Sequence, residues 1–556
     1  MEWWQKATVY QIYPRSFQDS NGDGIGDING IIQRLDYLAD LGIELIWLTP
    51  MYVSPGRDNG YDIADYYQID PIFGSLADFE RLLKAAHQRG IKIMMDMVVN
   101  HTSDQHHWFQ ESLKSKDNPY HDYYLWQDPV DGHAPNNWLS KFSGSAWEYV
   151  PALDQYYLHL YEKTMPDLNW RNPQLRAEIF KMMQFWADLG IDGLRLDVIN
   201  NISKDKDFPN DTFATPSDDG RNFYTNGPHV HEYIHEMYQK IFGPNHFVTV
   251  GELSSTPIDE AIKYTNPARE ELSMAFTFHH VKVDYTDGKK WTLGQCYLPD
   301  LKRVLSDWQI GMAAGGGWNA LFWSNHDQPR AISRFLNDTQ YRDQSAKLLA
   351  LVEFGLQGTP YIYQGEEIAM KNAYFTDIQQ YNDRESINAY HQMLADGQSP
   401  ATALAILQQK SRENCRIPMQ WDNTPQHGFT TGTPWLQPVL PDDYSVESVL
   451  QKPDNVFEFY QALITLRKSQ PLLLSGQYRL LEADDEAVYT YERFDQEQVI
   501  RVLANFTAEP QVRSLPKQAH VMLGNYLTTT VAHQQITLQP YEAVMVHITK
   551  EGTQDV

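Results

Sequence analysis

Residues 193–198 read GLRLDV, an apolar and strand-like run that ends with an acidic side chain. Aspartate is a poor strand former and is costly to bury without partners, so this strand end indicates a site. Three further runs repeat the arrangement, and each is followed by a helix-like run: DMVVNH at 96–101, VGE at 250–252 and NHD at 325–327. In a barrel of parallel strands, such ends converge on one mouth where the chemistry is done.

The alternation of strand-like and helix-like runs extends along most of the chain. Apolar residues spaced three and four apart, as in Phe79, Leu82, Leu83 and Ala86, lead to a glycine, which is typical of a helix and its C-terminal cap. The strand-like runs lie at 9–14, 45–50, 91–99, 193–199, 247–253, 274–280, 320–327 and 360–367. Eight strands alternating with helices predict an α/β fold, a closed (β/α)8 TIM barrel.

Two long stretches interrupt this alternation. Residues 102–170 are rich in Asp, Asn, Pro, Trp and Tyr, and they predict a small domain inserted after the third strand. Residues from about 372 to 450 form a long excursion after the eighth strand, and the short runs beyond Gly476 predict a C-terminal antiparallel β-domain. The predicted division is barrel at 1–101 and 171–475, inserted domain B at 102–170 and C-terminal domain at 476–556.

Composition excludes several classes of function. With 556 residues, 42% of them hydrophobic, the chain can form a large core, and its net charge of −27 argues against nucleic-acid partners and anionic membranes. Only Cys296 and Cys415 are present, which predicts a reduced, cytoplasmic protein. The N-terminus lacks the features of a signal peptide, and no apolar run is long enough for a membrane span. The sequence leaves the oligomeric state open.

Three acidic residues at predicted strand ends form a candidate catalytic set: Asp197, Glu252 and Asp327. Cleavage of a glycosidic bond needs one carboxylic acid to protonate the leaving oxygen and a second carboxylate to attack or to activate water. Arg195 points to the same strand face as Asp197 and would keep it ionised, as a nucleophile requires. Neighbouring carboxylates raise the pKa of one of them, which suits a general acid. Any single one of these residues could be a strand-end cap, but the four motifs together favour catalysis.

The four motifs, in their order and spacing, resemble the conserved regions of the α-amylase family of glycoside hydrolases (family 13). The sequence PDLNW at 166–170 matches a fifth motif of that family. The resemblance implies a retaining mechanism through a covalent glucosyl-enzyme. In that mechanism Asp197 is the nucleophile, Glu252 the acid/base and Asp327 the stabiliser of the transition state.

The resemblance also implies residues that bind the sugar. His101, Arg195 and His326 would bind hydroxyl groups in the first sugar subsite. Asp62 and Arg412 match a pair that grips the non-reducing end, and family members with this pair release one glucose at a time.

A loop after the first strand has the alternating oxygen ligands of a calcium site, with Gly24 at its sharp turn. Its candidate ligands are Asp19, Asn21, Asp23, Ile25 and Asp27. It is not an EF-hand, because a strand precedes it and Gly30 stands where the bidentate Glu would be. Similar loops in related glucosidases bind Ca²⁺, so we expect a structural Ca²⁺ here. The alternative is a turn rich in Asp, Asn and Gly without metal.

Two features bear on the substrate. Val198 follows the candidate nucleophile, and in the resembling subfamily Val here accompanies α-1,6 preference, as in oligo-1,6-glucosidases. Residues 271–291, 251–256 and 312–323 look more like the corresponding parts of trehalose-6-phosphate hydrolases.

The loop after the sixth strand would suit a phosphate. A phosphorylated sugar needs a local cationic pocket on so acidic a chain, and His280, Lys282 and Lys290 lie close together on this loop. The alternative is a solvated hairpin whose lysines meet Asp284 and Asp287.

The expected function is therefore that of a retaining exo-α-glucosidase that hydrolyses trehalose 6-phosphate to glucose and glucose 6-phosphate. The alternative is an oligo-1,6-glucosidase that acts on isomaltose-type sugars. A transglycosylating or isomerising enzyme on the same scaffold stays open, because subsite shape decides the acceptor. An inactive sugar-binding module is disfavoured by the presence of all three acids. The expected partner is a small (phospho)disaccharide.

Overall fold

A computed structural model describes residues 1–215, 219–437 and 444–549 of the chain. Within these residues, eight parallel strands form the central sheet. They are β1 (Val9–Ile12), β2 (Leu45–Leu48), β3 (Lys92–Val98), β4 (Gly193–Asp197), β5 (Val248–Glu252), β6 (Met274–Phe276), β7 (Ala320–Leu321) and β8 (Thr359–Tyr363). Their order is 6-5-4-3-2-1-8-7, and a parallel bridge between Ala275 and Asn319 joins the two ends. The predicted TIM barrel is confirmed.

Two strands are shorter than their apolar runs. β6 ends at Phe276, and the chain then turns into a 3-10 helix at His280–Lys282, while β7 comprises Ala320–Leu321 alone. The remaining apolar side chains are buried without strand pairing, since Phe278 and Phe322 pack against each other in the barrel's inner core. In these two cases the apolar run correctly indicates which residues are buried, but it is longer than the strand itself.

Helices follow each strand and cover the outside of the barrel. They are Ile28–Gln33 and Leu35–Leu41 after β1, then Leu76–Gln88, Pro173–Leu189, Val230–Met237, Ile258–Thr265, Leu298–Gly315, Arg342–Phe354 and Val456–Ser469. The helix Leu76–Gln88 begins where Ser75 and Asp78 cap each other's backbone N–H groups. The helix Pro173–Leu189 begins with an Asn172 cap and ends at Gly190, whose φ is +101°. None of the described helices is long and apolar enough to cross a membrane.

The inserted segment after β3 forms a small antiparallel sheet, from Trp126–Gln127, Trp147–Val150 and Gln155–Leu158. It is tied to the barrel by Asp167, which bridges to His101 at the end of β3 and accepts from Lys204 Nζ at 2.7 Å. After β8, helices Arg384–Ala395 and Pro400–Lys410 form the second excursion, and Val446–Leu450 follows it; residues 438–443 of that stretch lie outside the described residues.

The C-terminal part is an antiparallel β-domain. Its larger sheet contains Gln477–Leu481, Val488–Phe494, Gln498–Asn505, Ala543–Thr549 and Ala519–Gly524, and its smaller sheet contains Gln511–Ser514, Gln535–Leu538 and Thr530–Ala532. The end of the predicted domain, 550–556, lies outside the described residues.

Two glycines near β4 allow a test of the barrel's packing. A Cβ on Gly193 would lie 2.3 Å from the carbonyl oxygen of Val248 on β5, whereas a Cβ on Gly190 would meet open space. We expect Gly193→Ala to destabilise the protein by about 3 kcal/mol through overpacking, and Gly190→Ala by about 1 kcal/mol through its left-handed backbone. Thermal unfolding of both variants measures the difference. Equal losses would contradict the close contact between β4 and β5.

Candidate active site

The three candidate acids meet at one mouth of the barrel. Asp197 ends β4 and Glu252 ends β5, while Asp327 follows β7 by six residues. Arg195, on the same face of β4 as Asp197, links two of them: its Nη1 donates to Asp197 Oδ1 at 2.6 Å, and its Nη2 contacts Glu252 Oε2. The sequence prediction that strand ends bring these residues together agrees with this arrangement.

The guanidinium of Arg195 is fully buried, and neighbouring carboxyl groups balance its charge. Its Nη1 also donates to Asp96 Oδ1 at 2.8 Å, and its guanidinium lies 5.0 Å from the ring of Trp47 and 5.7 Å from that of Tyr61. Burial raises the pKa of Asp96 to about 7, although Arg195 opposes the shift. Tyr61 Oη and Trp47 Nε1 both donate to Asp96 Oδ2, at 3.0 and 3.2 Å.

Glu252 and Asp327 have pKa values displaced in opposite directions. Burial, with repulsion from Asp197, Asp327 and Asp96, raises the pKa of Glu252 to about 8, although Arg195 favours the ionised form. Burial would also raise the pKa of Asp327, but His326 and two arginines outweigh it and hold that pKa well below its usual range. At neutral pH Glu252 therefore carries a proton and Asp327 is a carboxylate, so the site holds an acid and an anion side by side.

Two arginines four residues apart hold Asp327. Arg412 Nη1 lies 3.1 Å and Arg416 Nη2 lies 2.8 Å from Asp327 Oδ1, because the 3-10 helix Arg412–Cys415 places both at the mouth. Asp383, buried between them, is 2.8 Å from Arg412. Arg416 and Asp383 were not among the predicted site residues, and the KSRENCR spacing at 410–416 was the available signal for Arg416.

Asp62 and Arg412, the predicted pair around the non-reducing end of the sugar, have different partners in the structure. Arg412 pairs with Asp58 at 2.7 Å, and no ion pair joins it to Asp62 within the described ranges. Asp62 accepts from Ser54 Oγ at 2.9 Å and from the backbone N–H groups of Arg57 and Asp58. Asp62 thus shapes the loop that presents Asp58, because its carboxylate is already used by that loop.

His101 and His326, predicted to bind sugar hydroxyls, are both buried at the mouth. His101 Nε2 has no hydrogen-bond partner among the described residues, although a buried polar atom is normally satisfied. That orphan nitrogen is placed to bond a ligand. His326 Nε2 lies 3.0 Å from Asp327 Oδ2.

Val198, next to the candidate nucleophile, has a left-handed backbone with φ of 36°. Such a conformation is a genuine outlier for a β-branched residue, and outliers of this kind cluster at functional sites.

Two of the predicted phosphate-binding residues, His280 and Lys290, are bonded to other groups of the protein. His280 is turned inward: its Nε2 bonds the carbonyl oxygen of Phe322 at 2.7 Å, and burial lowers its pKa to about 4, so the ring is neutral. Lys290 is paired with Glu385, with both distances 2.7 Å.

Lys282, in contrast, is a cation at the mouth that makes no ion pair within residues 1–215, 219–437 and 444–549. Burial, with repulsion from Arg221 and Lys290, lowers its pKa to about 8, and Glu252 acts in the opposite direction when it is ionised. Its electrostatic neighbours therefore include both the candidate acid and other cations.

Lys141 and Arg221 complete this group and were not predicted. Burial, with repulsion from Arg221 and Lys282, lowers the pKa of Lys141 to about 8, while Asp219 opposes the shift. Lys141 lies on the inserted domain and Arg221 on the segment after β4, so only folding brings them to Lys282. We call Lys141, Arg221 and Lys282 the cationic cluster.

A cleft beside the cationic cluster opens at the mouth. It is lined by residues including Lys141, Phe142, Lys290, Trp291 and Glu385. Phe142 also stacks with the guanidinium of Arg412, at 5.3 Å, so the cleft adjoins the residues that hold Asp327.

The predicted calcium loop is held by its own hydrogen bonds. Asp19 accepts from the N–H groups of Asn21, Gly22 and Gly24 and from Thr430, and Asp27 accepts from Ser20 and Gly30. Asn21 and Asp23 each accept from the N–H two residues ahead, at 2.9 Å.

The chemistry of this loop fits calcium, because Asn21, Asp23, Asp27 and the Ile25 carbonyl supply hard oxygen atoms. The carboxylates of Asp19 and Asp27 are already occupied, since each of their oxygen atoms lies within hydrogen-bond distance of two donors. No group of three or more His, Cys, Asp or Glu within the described residues is arranged as a metal site.

Comparison with known proteins covers almost the whole chain. A family model described as "Alpha amylase, catalytic domain" matches residues 11–476, and one described as "Maltogenic Amylase, C-terminal domain" matches residues 478–545. The trehalose-6-phosphate hydrolase of Bacillus subtilis is 50% identical, over 99% of this chain and 98% of its own. The oligo-1,6-glucosidase of Parageobacillus thermoglucosidasius is 47% identical, over 97% and 98%.

Solved structures give the same result. The trehalose-6-phosphate hydrolase of Bacillus licheniformis superposes with a TM-score of 0.94 at 48% identity, covering 99% of this chain and 100% of that one. A mutant isomaltulose synthase of Erwinia rhapontici, crystallised with D-glucose, has a TM-score of 0.95 at 40% identity and the same coverage. The chain is therefore a member of the α-amylase family of glycoside hydrolases (family 13).

Proposed function

We propose that the protein is a retaining exo-α-glucosidase that hydrolyses trehalose 6-phosphate to glucose and glucose 6-phosphate. The observation that carries the proposal is the cationic cluster of Lys141, Arg221 and Lys282, whose member Lys282 interacts electrostatically with Glu252. Asp219 pairs with Arg221 at 2.6 Å and lies 3.7 Å from Lys141, but the cluster carries more positive charge than this one carboxylate balances, and on a chain of net charge −27 that excess indicates an anionic ligand. The phosphorylated disaccharide acted on by the hydrolase relatives from Bacillus supplies one.

The proposed mechanism assigns one task to each acid. Asp197, which accepts a hydrogen bond from Arg195, attacks the anomeric carbon while Glu252 gives its proton to the leaving oxygen. The covalent glucosyl-enzyme is then hydrolysed by water that Glu252 deprotonates. Asp327, held as a carboxylate by Arg412 and Arg416, stabilises the positive charge of the transition state.

The leaving sugar carries the phosphate toward the cationic cluster. Lys282 has no ion-pair partner among the described residues, so it can meet a phosphate without first breaking an ion pair. Lys290, which is paired with Glu385, would have to exchange that partner. Lys282 is therefore the proposed phosphate ligand in place of His280 and Lys290, and Lys141 and Arg221, which face Asp219, add positive charge beside it.

The second candidate is an oligo-1,6-glucosidase. Val198 and the relatives of that name, which are 46–48% identical to this chain, favour it. Release of glucose from trehalose 6-phosphate, trehalose and isomaltose, measured side by side, separates the two. Preference for isomaltose would contradict the phosphate proposal and leave the roles of the three acids intact.

Reduced thiols support a cytoplasmic location, which we also propose. Cys296 and Cys415 both lie in the described parts of the chain and are unpaired.

Replacing Lys282 tests the phosphate role. We expect Lys282→Ala to raise KM for trehalose 6-phosphate about 10- to 100-fold, because a charge-assisted contact to phosphate is lost. KM for the neutral p-nitrophenyl α-glucoside should change less than twofold. Steady-state kinetics on both substrates measures the split.

The matched control is Lys84→Ala, which removes the same charge from an exposed position on the helix Leu76–Gln88. It should leave both KM values as they are. An equal loss on the two substrates in Lys282→Ala would contradict the phosphate role.

The raised pKa of Glu252 sets the alkaline limit of activity. Glu252 must carry its proton, so kcat/KM for isomaltose or trehalose should fall as pH rises through about 8. Lys282 and Lys141 also lose their charge near pH 8, so kcat/KM for trehalose 6-phosphate should fall more steeply. Logarithmic plots of kcat/KM against pH for the two kinds of substrate give the slopes. Identical slopes would show that the lysines do not contact the phosphate.

We further propose a structural calcium ion at the loop from Asp19 to Asp27. Removal of a bound ion lowers stability by mass action, so treatment with a chelator should lower Tm by about 2–5 °C and added Ca²⁺ should restore it. The Asp23→Ala variant should have a lower Tm than the wild type, and the chelator should not lower it further. Purified protein that lacks calcium by elemental analysis and keeps its Tm in chelator would contradict the proposal.

A further inference from the structure

We propose that Gln11 is a positioning residue for the active site: it donates its amide N–H to His326 Nδ1 and so fixes the His326 tautomer that has its hydrogen on Nε2. The inference rests on the proposed role of Asp327, toward which that Nε2–H is directed. Nothing in the strand-end motifs pointed to Gln11, which lies in β1 and was not among the predicted site residues.

The contacts at Nε2 require a hydrogen there. Nε2 of His326 lies 3.0 Å from Asp327 Oδ2 and 2.6 Å from Tyr61 Oη. The ionised carboxylate of Asp327 can only accept a hydrogen bond. Tyr61 donates its own hydrogen to Asp96 at 3.0 Å, so its oxygen is also an acceptor toward His326. Both neighbours of Nε2 therefore require a donor.

The contact at Nδ1 requires a lone pair. A neutral imidazole has one N–H, so once Nε2 carries it Nδ1 is an acceptor and needs a donor of its own. The amide nitrogen of Gln11, buried with His326, lies 2.8 Å from Nδ1 and supplies that donor. The opposite amide orientation would place a carbonyl oxygen at Nδ1 and would require an imidazolium.

The surroundings of His326 favour the neutral ring. Burial lowers its pKa, and Arg195 and Arg416 lower it further, while Asp327 opposes them. The other titratable groups against the ring are Tyr61 and Tyr13, whose rings lie parallel to it, and they add no charge while protonated. A neutral His326 with its hydrogen at Nε2 is therefore what the whole environment supports, and Gln11 selects between the two neutral tautomers.

The first test is the ¹⁵N spectrum of the ring in the wild-type full chain, with the His326 signals identified by their loss in His326→Gln. We expect the pattern of a neutral imidazole protonated at Nε2. A ring protonated at Nδ1, or at both nitrogen atoms, overturns the proposal whatever any variant does. This readout uses no substrate, so it is independent of whether the proposed function is correct.

The second test uses two variants at this position. Gln11→Met removes the donor, so we expect a mixture of tautomers and a fall of about tenfold in kcat for p-nitrophenyl α-glucoside, with a smaller change in KM. Gln11→Glu offers only acceptors to Nδ1, so we expect a doubly protonated His326 at neutral pH. An unchanged spectrum with unchanged kcat in Gln11→Met overturns the proposal.

A matched control separates positioning from folding. Gln309 is an equally buried glutamine on the helix Leu298–Gly315, and its amide nitrogen bonds the carbonyl oxygen of Gln357 at 2.9 Å. Gln309→Met should lower Tm without altering the His326 signals or kcat. If Gln309→Met lowers kcat as much as Gln11→Met does, the effect of Gln11 is structural and the proposal fails.

Discussion

One buried positive charge holds the active site together. The guanidinium of Arg195 contacts Asp96, Asp197 and Glu252, all of which are in or at the end of neighbouring strands of the barrel. Without Arg195, these buried carboxyl groups would lose the positive charge that balances them. Breaking a buried ion pair by removing one partner costs about 3–5 kcal/mol of folding free energy. Lysine could not replace it, because only the planar fork of arginine offers donors in several fixed directions at once.

The charged side chains of the site form two layers, a negative layer at the strand ends and a positive layer on the segments around the mouth. The carboxyl groups lie at the strand ends, whereas Lys141, Arg221 and Lys282 come from the inserted domain, the segment after β4 and the turn after β6. Arg412 connects the two layers, since it contacts Asp327 below and Phe142 of the inserted domain above. The barrel thus supplies the chemistry, and the excursions supply the selectivity that we propose for the phosphorylated sugar.

How far the sequence predicts this site depends on where each residue lies. Asp197, Glu252 and Arg195 could be placed together because parallel strands have a fixed direction and their ends must converge. Lys141, Arg221 and Asp58 could not, because they meet the site through loops whose paths no periodicity describes. His280 shows the same limit, since its ring is buried and bonds the carbonyl oxygen of Phe322.

The backbone at Val198 has a consequence for engineering. A β-branched residue held in the left-handed region stores about 1–3 kcal/mol of strain, here directly after the proposed nucleophile. Glycine would relieve that strain and so increase resistance to heat, but it would also give the backbone next to Asp197 more freedom and so loosen the placement of that carboxylate. Laboratory selection for thermal resistance alone would therefore favour a change here that reduces turnover, and a selection that also demands activity would retain the strained valine.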